Sequence, residues 1–142
     1  MTISLAVIPW LPLVAVTLHL LEEFVWPGGF GNWYRSYRPE RAASVTTTFL
    51  FLINALFVAM AVVPGVLGFR PYGVAIWLVV ASIAAANGIF HLWASFRSRV
   101  YSPGVVTGCL VYEAALIGPA FHIYSAWNHR RRAWAQLERA SK

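Results

Sequence analysis

The chain has 142 residues, of which 59% are of the types AVILMFWYC and only 11% are charged, with a net charge of +6 and a mean hydropathy of +0.62. Eleven Lys and Arg with five acids cannot cover a soluble domain of this size, which excludes a disordered chain, a coiled coil and a typical cytosolic enzyme. The single cysteine excludes an internal disulfide, and no nucleic-acid partner is expected, because the basic residues gather in loops and tail, where they meet lipid phosphates.

Four long apolar stretches occur in chain order, at about 3–26, 44–69, 72–96 and 104–127. Each is long enough for a somewhat tilted transmembrane helix, and none has the alternation of a membrane strand. The expected fold is all-α, a four-transmembrane-helix bundle over residues 1–128 with a basic C-terminal tail, 129–142. The first span does not read as a cleavable signal peptide, since no basic residue precedes it and it ends in His and Glu. Pro9 and Pro12 are placed to kink it.

The connections are polar. Residues 27–43 read as a loop with Pro27, Gly28, Gly29 and Gly31, then Trp33, Tyr34 and Tyr37 as headgroup-level anchors or, on a sharper reading, a lid over a site. Arg70-Pro71 makes a tight turn, residues 97–103 join the last two spans, and the tail carries Arg130, Arg131 and Arg132. The positive-inside rule hardly discriminates. Six basic residues (Arg70, Arg130, Arg131, Arg132, Arg139, Lys142) share the side of the termini, against five (Arg35, Arg38, Arg41, Arg97, Arg99) on the other. The Arg130–Arg132 run tips the reading towards cytoplasmic termini of a multi-pass integral membrane protein.

Depth is more informative than charge count. Glu22, Glu23 and Glu113 lie within predicted spans, as do His19, His91 and His122, and no Lys or Arg lies well inside any span. At 1.5 Å per residue, His19, Glu22, Glu23, Asn87, His91, Tyr112, Glu113 and Asn54 fall between about 5 and 15 Å below the face that carries loops 27–43 and 97–103. His122 belongs near the opposite interface. An ionisable group at the bilayer centre costs about 2.5–3.5 kcal/mol or more, so these groups need a compensator. Facing agrees with depth. His19, Glu22 and Glu23 are at i, i+3 and i+4; Asn87 and His91, and Cys109 and Glu113, are at i and i+4. Each helix has one polar stripe for the bundle interior. The pairs Ala84/Gly88 and Gly104/Gly108 let the third and fourth helices approach closely.

The segment His19-Leu20-Leu21-Glu22-Glu23, then Asn87-Gly88-Ile89-Phe90-His91, then Gly108 to Tyr112 and Glu113, resembles the three motifs of the HXXEE family of small integral membrane proteins. The resemblance covers roughly residues 10–125. It implies an active site at these motifs without naming a reaction.

The residue types favour a divalent metal, Zn, Fe or Mn, held by His19, Glu23, His91 and Glu113. Glu22 or Glu23 would serve as general base, and Asn87 and Tyr112 would orient substrate or support a ligand. A site half buried beside lipid would act, as a hydrolase or oxidase, on a lipid or other amphiphile. The expected partners are the bilayer and that small molecule, and a homo-oligomer is compatible with the sequence. Three other readings stay open: a metal-free acid–base isomerase of the sterol-isomerase type, a small proton-coupled transporter with an essential Glu in its first span, and a bis-His haem protein. The plain alternative is that Glu22 and Glu23 end a helix and snorkel towards Arg97 or Arg99, and that His19 bonds a neighbouring carbonyl.

Overall fold

The computed structural model describes residues 7–112 without a break and, beyond them, residues 116, 124–125, 127–129, 131–133, 136 and 139. All regular structure among the described residues is helical. A 3-10 turn, Ile8–Trp10, leads into α1, Leu11–Phe24. Pro9 and Pro12 stand at the start of these two elements, where a missing N–H breaks no hydrogen bond, so they open the helix instead of kinking its middle. With 14 residues, α1 extends about 21 Å, short of a hydrocarbon core of roughly 30 Å. The part of the predicted first span that precedes residue 7 lies outside the described residues. α1 stops where Pro27 removes a donor and Gly28 and Gly29 adopt φ of 71° and 84°.

Segment 27–43 departs from the loop expected of it. It forms a second helix, α2 (Phe30–Tyr37), and a 3-10 turn, Pro39–Arg41. Phe30, Trp33, Tyr34 and Tyr37 recur at i, i+3, i+4 and i+7, so one face of α2 is wholly aromatic. That face has a partner. Trp33, Tyr34 and Tyr37 lie with ring centroids 6.1–6.4 Å from Phe90, and Phe30 lies 5.6 Å from His91.

The next two helices are α3 (Thr47–Leu67) and α4 (Pro71–Ser98), and both are long and apolar enough to cross a membrane. Thr46 caps α3 by accepting the Phe49 N–H at 3.1 Å, and Gly68 ends it at φ 60°. Pro71 opens α4. Only 11% of the apolar stretch of α3 is buried, against 39% for α4. Phe51, Leu52 and Ile53 are consecutive and all exposed, so the bare apolar surface of α3 wraps around the helix.

α3 packs against both α1 and α4. After α4 the chain turns at Arg99, passes Gly104 at φ 103°, and becomes helical again from residue 105, wound as a π-helix over Thr107–Val111. This π-turn packs on α1 and α4. Gly88 and Gly108 meet there: a Cβ on Gly88 would stand 2.6 Å from the Gly108 carbonyl oxygen, so no larger residue fits without separating the two helices. Glu113, His122 and much of the predicted fourth span and tail lie outside the described residues. The apolar core gathers Val16, Ala61, Trp77, Val80, Ala84 and Leu116. The loop-side end of the same packing holds a compact polar cluster.

Candidate metal centre

α1 brings His19, Glu22 and Glu23 to the inside of the packing, all less than a tenth exposed. α4 brings Asn87 and His91. The segment after it brings Ser102, Gly104 and Thr107. Helical spacing groups Glu22 with Glu23, yet the two carboxylates enter different surroundings.

Glu22 faces the start of the last helical segment. Its Oε1 accepts the Val106 N–H at 3.1 Å and the Tyr101 hydroxyl, and its Oε2 accepts the Thr107 N–H at 2.7 Å and the Thr107 hydroxyl at 2.5 Å. The two N–H groups are first-turn donors with no partner within their own helix, and a carboxylate also suits the positive end of a helix. Glu22 therefore caps one helix from another, and its lone pairs are taken up. It does not snorkel to Arg97 or Arg99: the Arg–Glu pair found among the described residues is Arg38 with Glu40, at 3.7 Å on the surface.

This cap reaches His19. Thr107 Oγ1 has one hydrogen, and the charge-assisted bond to Glu22 takes it. The oxygen must then accept from His19 Nδ1, 2.8 Å away. His19 is fixed as the Nδ1–H tautomer, and its Nε2 keeps a lone pair. That lone pair meets the Asn87 amide Nδ2 at 2.8 Å and lies 3.3 Å from Glu23 Oε1.

His91 is arranged alike. Its Nδ1 bonds Ser102 Oγ at 2.8 Å in a fully buried contact. Its Nε2 lies 3.0 Å from Glu23 Oε1 but makes no hydrogen bond, because the oxygen stands off the ring's N–H direction. With a proton on Nδ1 donated to Ser102 Oγ, Nε2 presents a lone pair on the side of Glu23. The ligand atoms of His19, Glu23 and His91 all lie within 4.8 Å of one another, and all three residues are buried.

With both Nε2 atoms unprotonated, three buried acceptors converge with one donor, the Asn87 amide, among them, and a cation, whether a proton on an imidazole or a metal ion, would join them. Two imidazole Nε2 atoms and one carboxylate are also a standard ligand set: His2Glu with an open fourth position for zinc, or two His and one carboxylate for Fe(II). The group can hold a metal ion, with Thr107 and Ser102 orienting the imidazoles from behind. An ion on His19 would replace the Asn87 N–H as partner of Nε2.

The surroundings are close. Gly104 lies against the site, where a Cβ would stand 2.8 Å from His19 Cε1 and 2.9 Å from His91 Cε1. With φ at 103° as well, this position calls for glycine twice over, and its place is at the site rather than in a helix-packing pair with Gly108. The Tyr112 ring is 4.7 Å from that of His19, and its buried hydroxyl has no hydrogen-bond partner among the described residues. The aromatic face of α2 roofs His91. Of the residues expected at the site, His19, Glu23, His91, Asn87 and Tyr112 come together, Glu22 stands behind them, and Glu113 lies outside the described residues. Thr107, Ser102 and Gly104 were not anticipated. The only sequence signal for them is their position in the connection facing the HxxEE end of α1.

Beside the site, between α3 and α4, is a cavity of about 500 Å³ whose inner end is lined by Glu23 and Asn87. A second, of about 680 Å³, lies on the other side of Phe30, Leu50 and Asn54 and is lined in part by Arg35.

A family described as "Protein of unknown function with HXXEE motif" matches the chain over residues 10–117. No curated protein and no solved structure matches it.

Proposed function

The chain belongs to the HXXEE family, and from that premise we propose that it is a membrane-embedded, metal-dependent enzyme acting on a lipid or other amphiphile. The observation that carries this reading is the convergence of His19 Nε2, His91 Nε2 and Glu23 Oε1 on one buried point, with both imidazoles hydrogen-bonded from behind through Nδ1. On this reading four helices cross the membrane, α3 and α4 among them, with the site in the half of the bilayer nearer α2.

A bound Zn, Fe or Mn would supply Lewis acidity and an activated water or, for iron, dioxygen. The chain's own residues do the rest. His19, His91 and Glu23 hold the ion. Tyr112 offers a buried hydroxyl, free among the described residues, to negative charge developing on the substrate. The roof of α2 and the apolar packing keep bulk water out, which strengthens each of these interactions. Glu22, with its lone pairs taken, is not the general base; it is a positioning residue that acts through Thr107 on His19.

The test is elemental analysis of the full chain purified in detergent without a metal-affinity tag, then mass spectrometry of a membrane-lipid extract incubated with it. Stoichiometric Zn, Fe or Mn that is lost in His91→Ala, with a lipid conversion lost alongside, supports the proposal. Protein that neither retains nor rebinds metal under gentle handling overturns it. Lipid conversion that survives metal removal would instead favour the metal-free isomerase, and proton flux in vesicles dependent on Glu23 would favour the transporter.

A further inference from the structure

The 500 Å³ cavity shows what kind of molecule the site receives. It runs along α3 from Phe49 to Met60, about 16 Å at helical rise, which suits an extended hydrocarbon chain. Its walls are apolar, and its polar lining is confined to Tyr34, Asn54, Asn87 and Glu23. Phe49, Ile53 and Leu56 on α3 and Ile83 on α4 line it and are themselves 41–57% exposed, so its mouth opens sideways through the bare apolar flank of the molecule. No Lys, Arg or His lines it, and its one charged wall residue is Glu23. Without a metal on Glu23, an anionic headgroup drawn into it would lose its water, find no cation on the walls and face a carboxylate. The second cavity is the opposite case: Arg35 lines it, half buried, donating to Asn32 Oδ1 at 3.1 Å.

We infer that the substrate of the His19–Glu23–His91 site is a long-chain amphiphile that enters laterally between α3 and α4 with its polar group towards Glu23 and Asn87. This rests on the function proposed above. Anionic chains enter this cavity only when a metal occupies the site and otherwise sort to the cavity of Arg35.

The full chain is reconstituted in phosphatidylcholine vesicles and photolabelled with a long-chain primary alcohol carrying a mid-chain diazirine, and in parallel with the fatty acid of the same length. The alcohol labels Ile53, Phe57 or Ile83. Excess unlabelled alcohol competes it away, and Ala86→Phe, which fills the cavity, reduces labelling at least tenfold with metal content unchanged. Ile83→Trp does the same from the neighbouring turn should Ala86→Phe not fold. The fatty acid labels these positions at least tenfold less once the metal is removed. Equal labelling by the fatty acid in metal-free protein, labelling confined to Leu20, Phe51 and Val58, or indifference to both cavity-filling variants overturns the inference. The two proposals fail separately: labelling of this cavity in a protein that binds no metal removes the enzyme reading alone, and a metal-loaded protein whose cavity stays unlabelled removes this one alone.

Discussion

Glu22 and Glu23 are neighbours in sequence, and both are buried, yet they belong to chemically opposite regions. Around Glu22 every contact is a donor: two backbone N–H groups, the Thr107 hydroxyl and the Tyr101 hydroxyl. Around Glu23 the near groups are imidazole nitrogens, one already bonded by Asn87 and the other without a hydrogen bond. The first region is complete as it stands and holds helices together. The second leaves His91 Nε2 without a hydrogen bond, and a cation would complete it. A buried polar group that is fully satisfied explains itself as architecture, whereas buried acceptors that lack donors mark the place where something binds.

The same isosteric substitution therefore has opposite consequences at the two positions. Glu23→Gln removes the charged ligand, and metal binding weakens by about a hundredfold or more, since losing even an outer-shell partner costs about 10–100-fold. In metal-free protein, however, the amide brings an N–H donor to His91 Nε2, which lacks a hydrogen bond, so the apo form gains about 1 kcal/mol. Denaturation of chelated protein beside metal titration checks both signs at once. An apo Glu23→Gln protein less stable than the apo parent would erase the distinction between the two regions.

Glu22→Gln is the next largest effect. The amide keeps one acceptor oxygen and turns an N–H₂ towards donors, leaving buried N–H groups unpaired at about 1–3 kcal/mol. It also frees Thr107 to donate to His19 and so loosens the Nδ1–H tautomer. The thermal midpoint falls, and metal affinity drops about 10–100-fold as for other supporting groups. Were Glu22→Gln to abolish metal binding with stability unchanged, Glu22 would be a ligand rather than a cap.

Much of this was legible in the sequence, and the parts that were not have physical reasons. Depth along each span located the polar layer, because helical rise is nearly constant. The i, i+3, i+4 spacing of His19, Glu22 and Glu23 put all three on the inner side of α1, but it could not separate two adjacent glutamates, because their neighbours come from another segment. α2 carried its signal openly in Phe30, Trp33, Tyr34 and Tyr37; the preceding Pro27, Gly28 and Gly29 masked it, since such residues mark a turn whether a loop or a helix comes after them. Thr107 and Ser102 were hidden for another reason. A hydroxyl in a connection has no periodicity or cost to betray it, and its role exists only once tertiary packing sets it beside an imidazole. Gly104 fitted a helix-packing pattern and has a different task, pressed against His19 and His91.

The mildest prediction probes the outer edge of the satisfied region. The Tyr101 side chain is in large part exposed, but burial of its hydroxyl and the hydrogen bond to Glu22 push its pKa up from the usual 10.0 to about 12. The folded state thus favours the neutral phenol more than the unfolded chain does. That contribution is fully present below pH 10 and is lost as pH rises through about 12. Ultraviolet titration of tyrosinate should show a tyrosine titrating near 12 that is absent from Tyr101→Phe and moves back towards 10 in Glu22→Gln. The thermal midpoint of the parent should fall more steeply than that of Tyr101→Phe over the same interval. Metal content should be the same in Tyr101→Phe as in the parent, because Tyr101 bonds Glu22 Oε1, whereas Thr107, which bonds His19, is held by Oε2.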